Sequence, residues 1–137
     1  KGAKRAFLAG LVAFLGGHVA YAAAFISLGL DPTVTAVTAV PLAIVAATVG
    51  QYLVRSAPEK LRMPVVGYIA VISIMVATAA GAVGAGASAL VVVGAVIFYF
   101  SDLGVARDRF VQKSFWNKVV LLPLYYAAQL IFATSVP

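Results

Sequence analysis

The sequence predicts an all-α membrane protein, an antiparallel bundle of about five transmembrane helices within a single polytopic domain. Three observations carry that expectation. Apolar residues make up 64% of the chain and charged residues 10%, against roughly 25% charged in an ordinary globular domain, so a water-facing surface cannot be assembled from it. The apolar residues fall in five runs, each near the roughly twenty residues that cross a hydrocarbon core. Basic residues gather between alternate runs and are missing from the others.

The first span is expected over Ala6–Leu28. Lys1, Lys4 and Arg5 before it, and Ala20-Tyr21-Ala22 within it, superficially resemble a signal peptide and its cleavage site. An apolar run of about 25 residues exceeds the 7–15 of a signal-peptide core, which favours a spanning helix. The chain opens on Lys1 rather than Met, and a processed, trimmed or partial form of something longer is expected. Gly29 then stops the first helix, while Asp31 caps and Pro32 starts the next. The second span covers Val34–Val54, the third Pro64–Val83, the fourth Ser88–Ala106 and the fifth Val119–Val136. Gly84-Ala85-Gly86-Ala87 reads as a small flexible turn. Pro41 and Pro123 lie inside spans and are expected to kink them, which is tolerated where neighbouring helices satisfy the carbonyls they free. Gly10, Gly16, Gly17, Gly67, Gly81 and Gly94 predict close helix packing.

Charge tests this division. All ten Lys and Arg lie at the N-terminus or in the second and fourth connections; the first and third connections and the C-terminus have none. A five-helix serpentine thus keeps every basic residue on one side, as the positive-inside rule requires. A multi-pass protein of the plasma (inner) membrane is expected, with the N-terminus cytoplasmic and the C-terminus on the outer side. In a soluble protein the net charge of +6 would suggest nucleic acid; here it reads as topology signal and lipid-headgroup contact, which argues against a nucleic-acid partner. The absence of cysteine excludes disulfides, thiolate metal sites and a cysteine nucleophile.

Few polar residues lie inside the spans. Asp102 ends a long apolar run a turn and a half before Arg107, near the inner boundary but within the bundle, and an acid there is costly enough to be a functional candidate. It is either a hydrated or paired surface acid, or a carboxyl in an apolar pocket, where burial favours the protonated form and makes it a proton donor. Arg109 is seven residues on, on the same helix face. Asp108 and Glu59 read as loop charges. His18, near mid-membrane, shares a face with Phe14, Tyr21 and Phe25. It either hydrogen-bonds between helices or handles protons or ligand. As the only histidine it argues against a zinc site, and nothing points to a metal or other cofactor. Tyr125, Tyr126 and Gln129 either line a polar cavity or bond to neighbouring helices. Arg109, Lys113 and Trp116 form a basic, aromatic rim that is either topogenic or suited to a phosphate headgroup.

With those residues in hand, the chain resembles the YhhN family of multi-pass membrane proteins, the lysoplasmalogenases. The likeness lies in Gly10-Leu-Val-Ala-Phe14 with His18 and Tyr21, in Met63-Pro64 with Tyr68 and Met75, in Gly94-Ala95 through Phe98, Ser101-Asp102 and Arg109-Phe110, and in Tyr125-Tyr126 with Gln129. It extends over essentially the whole chain. Members have about eight helices, so the likeness is to their C-terminal five, and a family acid in a Gly-Asp element is expected just upstream of Lys1. The resemblance implies hydrolysis of the sn-1 vinyl ether of a lysoplasmalogen to a fatty aldehyde and a glycerophospho-ethanolamine or -choline. It implies Asp102 as the acid or the cation stabiliser, with the upstream acid in the other role. His18 and Tyr21 would orient water or acid, Tyr125, Tyr126 and Gln129 would line the cavity, and Arg109 would take the headgroup phosphate. The partners would be lysophospholipid and membrane lipids. Rival expectations are a small transporter, which Pro41 and Pro123 would suit as helix breaks, a lipid-binding protein, or a hydrolase of another lysolipid or ether lipid.

Overall fold

The computed structural model describes residues 2–135, with side chains over 9–115 and 119–135. Among the described residues are five helices: α1 (Gly2–Ser27), α2 (Pro32–Ser56), α3 (Glu59–Gly84), α4 (Ala89–Phe110) and α5 (Phe115–Ser135). Connections of two to four residues make neighbours in sequence run antiparallel. α1 to α4 each contain a stretch long and apolar enough to cross a membrane; in α5 the apolar stretch Val119–Ser135 is shorter.

The helices outrun the expected spans. α3 starts at Glu59 rather than Pro64, α4 runs to Phe110 rather than Ala106, and α5 starts at Phe115 rather than Val119. The added turns carry Glu59, Lys60, Arg62, Arg107, Asp108 and Arg109. Hydropathy marks where a helix lies in hydrocarbon, whereas backbone hydrogen bonding continues past that edge. Pro64 is tolerated because the carbonyl its ring leaves unpaired, that of Lys60, lies in α3's first turn. The helices also run unbroken through Pro41 and Pro123. Val136, the expected end of the fifth span, lies outside the described residues.

α3 is the centre. α1, α2 and α4 pack against it, and α5 packs on α4. Residues from Val65 to Ala82 are buried on successive faces of α3, as an all-round apolar helix requires. Asp31 holds the first connection, as its sequence predicts: its carboxylate accepts the Val34 N–H (2.9 Å), and its own N–H donates to the Gly81 carbonyl of α3 (2.9 Å). Close approach depends on glycine where α4 meets α5. A Cβ on Gly94 would stand 2.7 Å from the Phe132 ring, and one on Gly104 would run into Leu121. Gly81 likewise makes room for Thr35. Gly10, Gly16, Gly17 and Gly67 do not pack as expected: an added Cβ would meet nothing within 4 Å, because no described helix covers those positions.

α1 meets α4 and α5 differently. Among the described residues its backbone packs against α3, and it reaches the other two through side chains: Phe14 to Phe98 and Tyr125, Tyr21 and Phe25 to Phe132. The space between these helices is where the polar residues lie.

Candidate active site

Helical spacing on α1 turns Phe14, His18, Tyr21 and Phe25 toward α4 and α5. His18 and Asp102 meet there, each only 1% exposed, with Nε2 and Oδ2 2.5 Å apart. The contact settles what the sequence left open for Asp102, which is paired inside the bundle and not hydrated at a surface. Beyond it α4 continues eight residues, about two turns, to Phe110. From the end of the bundle lacking basic residues, His18 is nine residues in along α1 and Asp102 thirteen along α4, about 14 and 20 Å.

The protonation of the pair follows from its other bonds. His18 Nδ1 is 2.8 Å from the Phe14 carbonyl oxygen. A carbonyl only accepts, so Nδ1 carries the hydrogen, and Nε2 of the neutral ring presents a lone pair to the carboxyl. Two lone pairs do not face each other at 2.5 Å. A single proton shared between the groups, as carboxylic acid with imidazole or as carboxylate with imidazolium, is what would satisfy both at this distance. By geometry, neither His18 Nε2 nor either carboxyl oxygen has a well-formed hydrogen bond among the described residues.

In front of the carboxyl lies a cavity of about 660 Å³ between α1, α3, α4 and α5. Asp102, Ser101, Tyr68, Phe14 and Tyr125 line it, Arg109 stands at its basic end, and the remaining wall is almost wholly apolar. His18 does not line it; the imidazole backs the carboxyl from within the bundle. A second cleft of about 510 Å³, bordered by Asp108, Arg109 and Lys113, joins the first through Asp108 and Arg109. Asp108 is not the loop charge expected: it sits in the last turns of α4, half-buried, and accepts the Ser114 N–H at 2.9 Å. The side chain of Trp116 lies outside the described residues.

The other expected site residues divide. Tyr125 lines the cavity, stacked on Phe14 with ring centroids 5.7 Å apart. Tyr21 and Gln129 come together away from it. The tyrosine hydroxyl donates to Oε1 at 2.7 Å and bridges α1 to α5, and neither residue lines the cavity. Tyr126 does not join the group. It is 61% exposed on the outer face and touches the cluster through the Tyr125 ring.

Sequence reasoning gave no site role to Tyr68 or Ser101. Ser101 donates to the Leu121 carbonyl (3.2 Å) and fastens α4 to α5 beside the acid. Tyr68, buried on α3, sets its ring edge-on to His18 (5.7 Å) with its hydroxyl beside the Asp102 carboxyl. A depth count would have found it: Tyr68 is six residues past Arg62 and Asp102 five before Arg107, at matching depth on adjacent antiparallel helices.

Among the described residues no group of three or more His, Asp or Glu could hold a metal ion. Neither a curated protein nor a solved structure matches the chain. The model of the YhhN family matches over residues 2–136, and the chain belongs to that family.

Proposed function

We propose that this chain is a membrane-embedded hydrolase that cleaves the sn-1 vinyl ether of a lysoplasmalogen, releasing a fatty aldehyde and a glycerophospho-ethanolamine or -choline. The observation that carries the proposal is the close, buried His18–Asp102 pair whose carboxyl lines an apolar cavity, in a member of the YhhN family.

Vinyl ethers resist base and hydrolyse in acid. Protonation of the β-carbon gives an oxocarbenium ion, water adds to it, and the hemiacetal collapses to aldehyde and alcohol. The enzyme must hold a proton in an apolar place and stabilise the cation that forms when it leaves. Asp102 faces the cavity and delivers the proton, while His18 holds the carboxyl from behind, with Nδ1 fixed by the Phe14 carbonyl. The resulting carboxylate then lies beside the cation and offsets its charge in a site shielded from bulk water. The ring faces of Phe14 and Tyr125 add to that stabilisation.

Dimensions support the substrate. A cavity of about 660 Å³ falls within the usual range for small-molecule sites, and its apolar wall suits an alkenyl chain. Arg109 follows Asp102 by seven residues on one face of α4, about 10 Å along the axis. Seven bonds separate the vinyl β-carbon from the phosphorus, about 8 Å when extended at roughly 1.2 Å per bond. Arg109 therefore meets the headgroup phosphate when Asp102 meets the double bond. The basic end of the bundle is proposed to face the cytoplasm, in the plasma (inner) membrane, so the headgroup lies at that surface.

The test is aldehyde release by the purified protein, alone and extended upstream, from a lysoplasmalogen and from the matched ester lysolipid. Aldehyde from the vinyl ether alone supports the proposal. None from either folded form refutes it and favours transport or lipid binding.

A further inference from the structure

The chemistry above assigns the proton but not the water. The attacking water must approach the cation from a polar group within the cavity, and the lining there is nearly all hydrocarbon. Tyr68 is the tyrosine of α3 that lines this cavity, and it does so beside Asp102. Its hydroxyl interacts with the Asp102 carboxyl without an aligned hydrogen bond to either oxygen. Both groups line the same cavity, and a phenol oxygen and a carboxyl each have lone pairs for a further hydrogen bond there. Two polar groups in that relation are suited to share a bridging water. The edge-on contact with His18 fixes the ring, so the hydroxyl is held by packing.

We propose that Tyr68 positions the water that captures the oxocarbenium ion, with Asp102 as its base; this rests on the hydrolase reading above. Asp102 first gives its proton to the β-carbon and becomes carboxylate. The water donates one hydrogen to that carboxylate and the other to the Tyr68 oxygen, which aims a lone pair at the cationic carbon. The new C–O bond forms as the water's proton passes to Asp102, restoring the acid. The same proton then goes to the glycerol oxygen as its bond to the hemiacetal carbon breaks and the hemiacetal hydroxyl loses its proton to the carboxylate. One carboxyl thus serves each step in turn, and Tyr68 keeps its own proton throughout.

The test uses the purified membrane protein and its Tyr68→Phe variant with lysoplasmalogen in D2O, following aldehyde release and deuterium in recovered substrate. In the parent, capture is fast and recovered substrate carries no deuterium. In Tyr68→Phe, kcat falls roughly tenfold, the worth of one hydrogen bond, while KM stays within about twofold. The stranded cation then returns a proton to Asp102, so deuterium appears at the vinyl β-carbon of unreacted substrate. A purely structural role for Tyr68 would not produce that exchange. An unchanged kcat, or a lower kcat without exchange above the parent, overturns the assignment. A parent that releases no aldehyde overturns the hydrolase reading instead, so the two failures are distinguishable.

Discussion

The contact of α2 with α3 and the meeting of α1 with α4 and α5 are built from similar sequence and do opposite things. At the first, backbones approach and the filling is Leu53, Val65 and Ile69. The hydroxyls of α2, such as Thr48 and Ser56, turn back to their own helix carbonyls. At the second, the backbones stand apart and the gap is bridged by aromatic rings, one acid, one histidine and one tyrosine–glutamine bond. The difference teaches that ionisable groups in this bundle occupy the place where helices do not interlock. An apolar helix pair gains by closing, whereas a buried carboxyl needs a partner and a cavity needs room.

The comparison can be broken at its polar side first. His18→Ala leaves Asp102 buried without the group that shares its proton, and should cost about 3–5 kcal/mol of stability, read by thermal unfolding in detergent. A loss no larger than that of an apolar truncation on the α2–α3 side, such as Ile69→Val at about 0.5–1.5 kcal/mol, would erase the distinction. Where α4 and α5 do interlock, Gly94→Leu should cost about 1–3 kcal/mol by overpacking against Phe132. Tyr21→Phe removes the α1–α5 bond and should cost about 0.6 kcal/mol, the average for hydrogen bonds between membrane helices. Gly16→Ala should be near neutral, because nothing lies within 4 Å of the added carbon; marked destabilisation would show that α1 is covered where the structure leaves it open.

Helix number and type were legible because length, hydropathy and charge alternation are properties of the chain alone. The face of α1 was legible too, since Phe14, His18, Tyr21 and Phe25 repeat at helical spacing. What those side chains meet was not. Tyr21 finds Gln129 from 108 residues away, and nothing in either segment specifies a partner across the bundle. Asp102 was legible as an acid inside the bundle, but its partner His18, 84 residues earlier on another helix, was not. Tyr68 went unassigned because its place beside Asp102 shows only when α3 and α4 are set side by side. Tyr126 failed in the opposite way: sequence proximity to Tyr125 suggested a shared role, but adjacent residues on a helix point about 100° apart.

The central claim is that Asp102 carries the proton that opens the vinyl ether. Its most direct test is the rate of aldehyde release by Asp102→Asn beside the parent, in samples matched for helix content and unfolding temperature. Asparagine keeps the shape and loses the acid, and the account predicts a fall of at least about a hundredfold, the lower range of general acid catalysis. Turnover within about threefold of the parent, far short of that range, would contradict it.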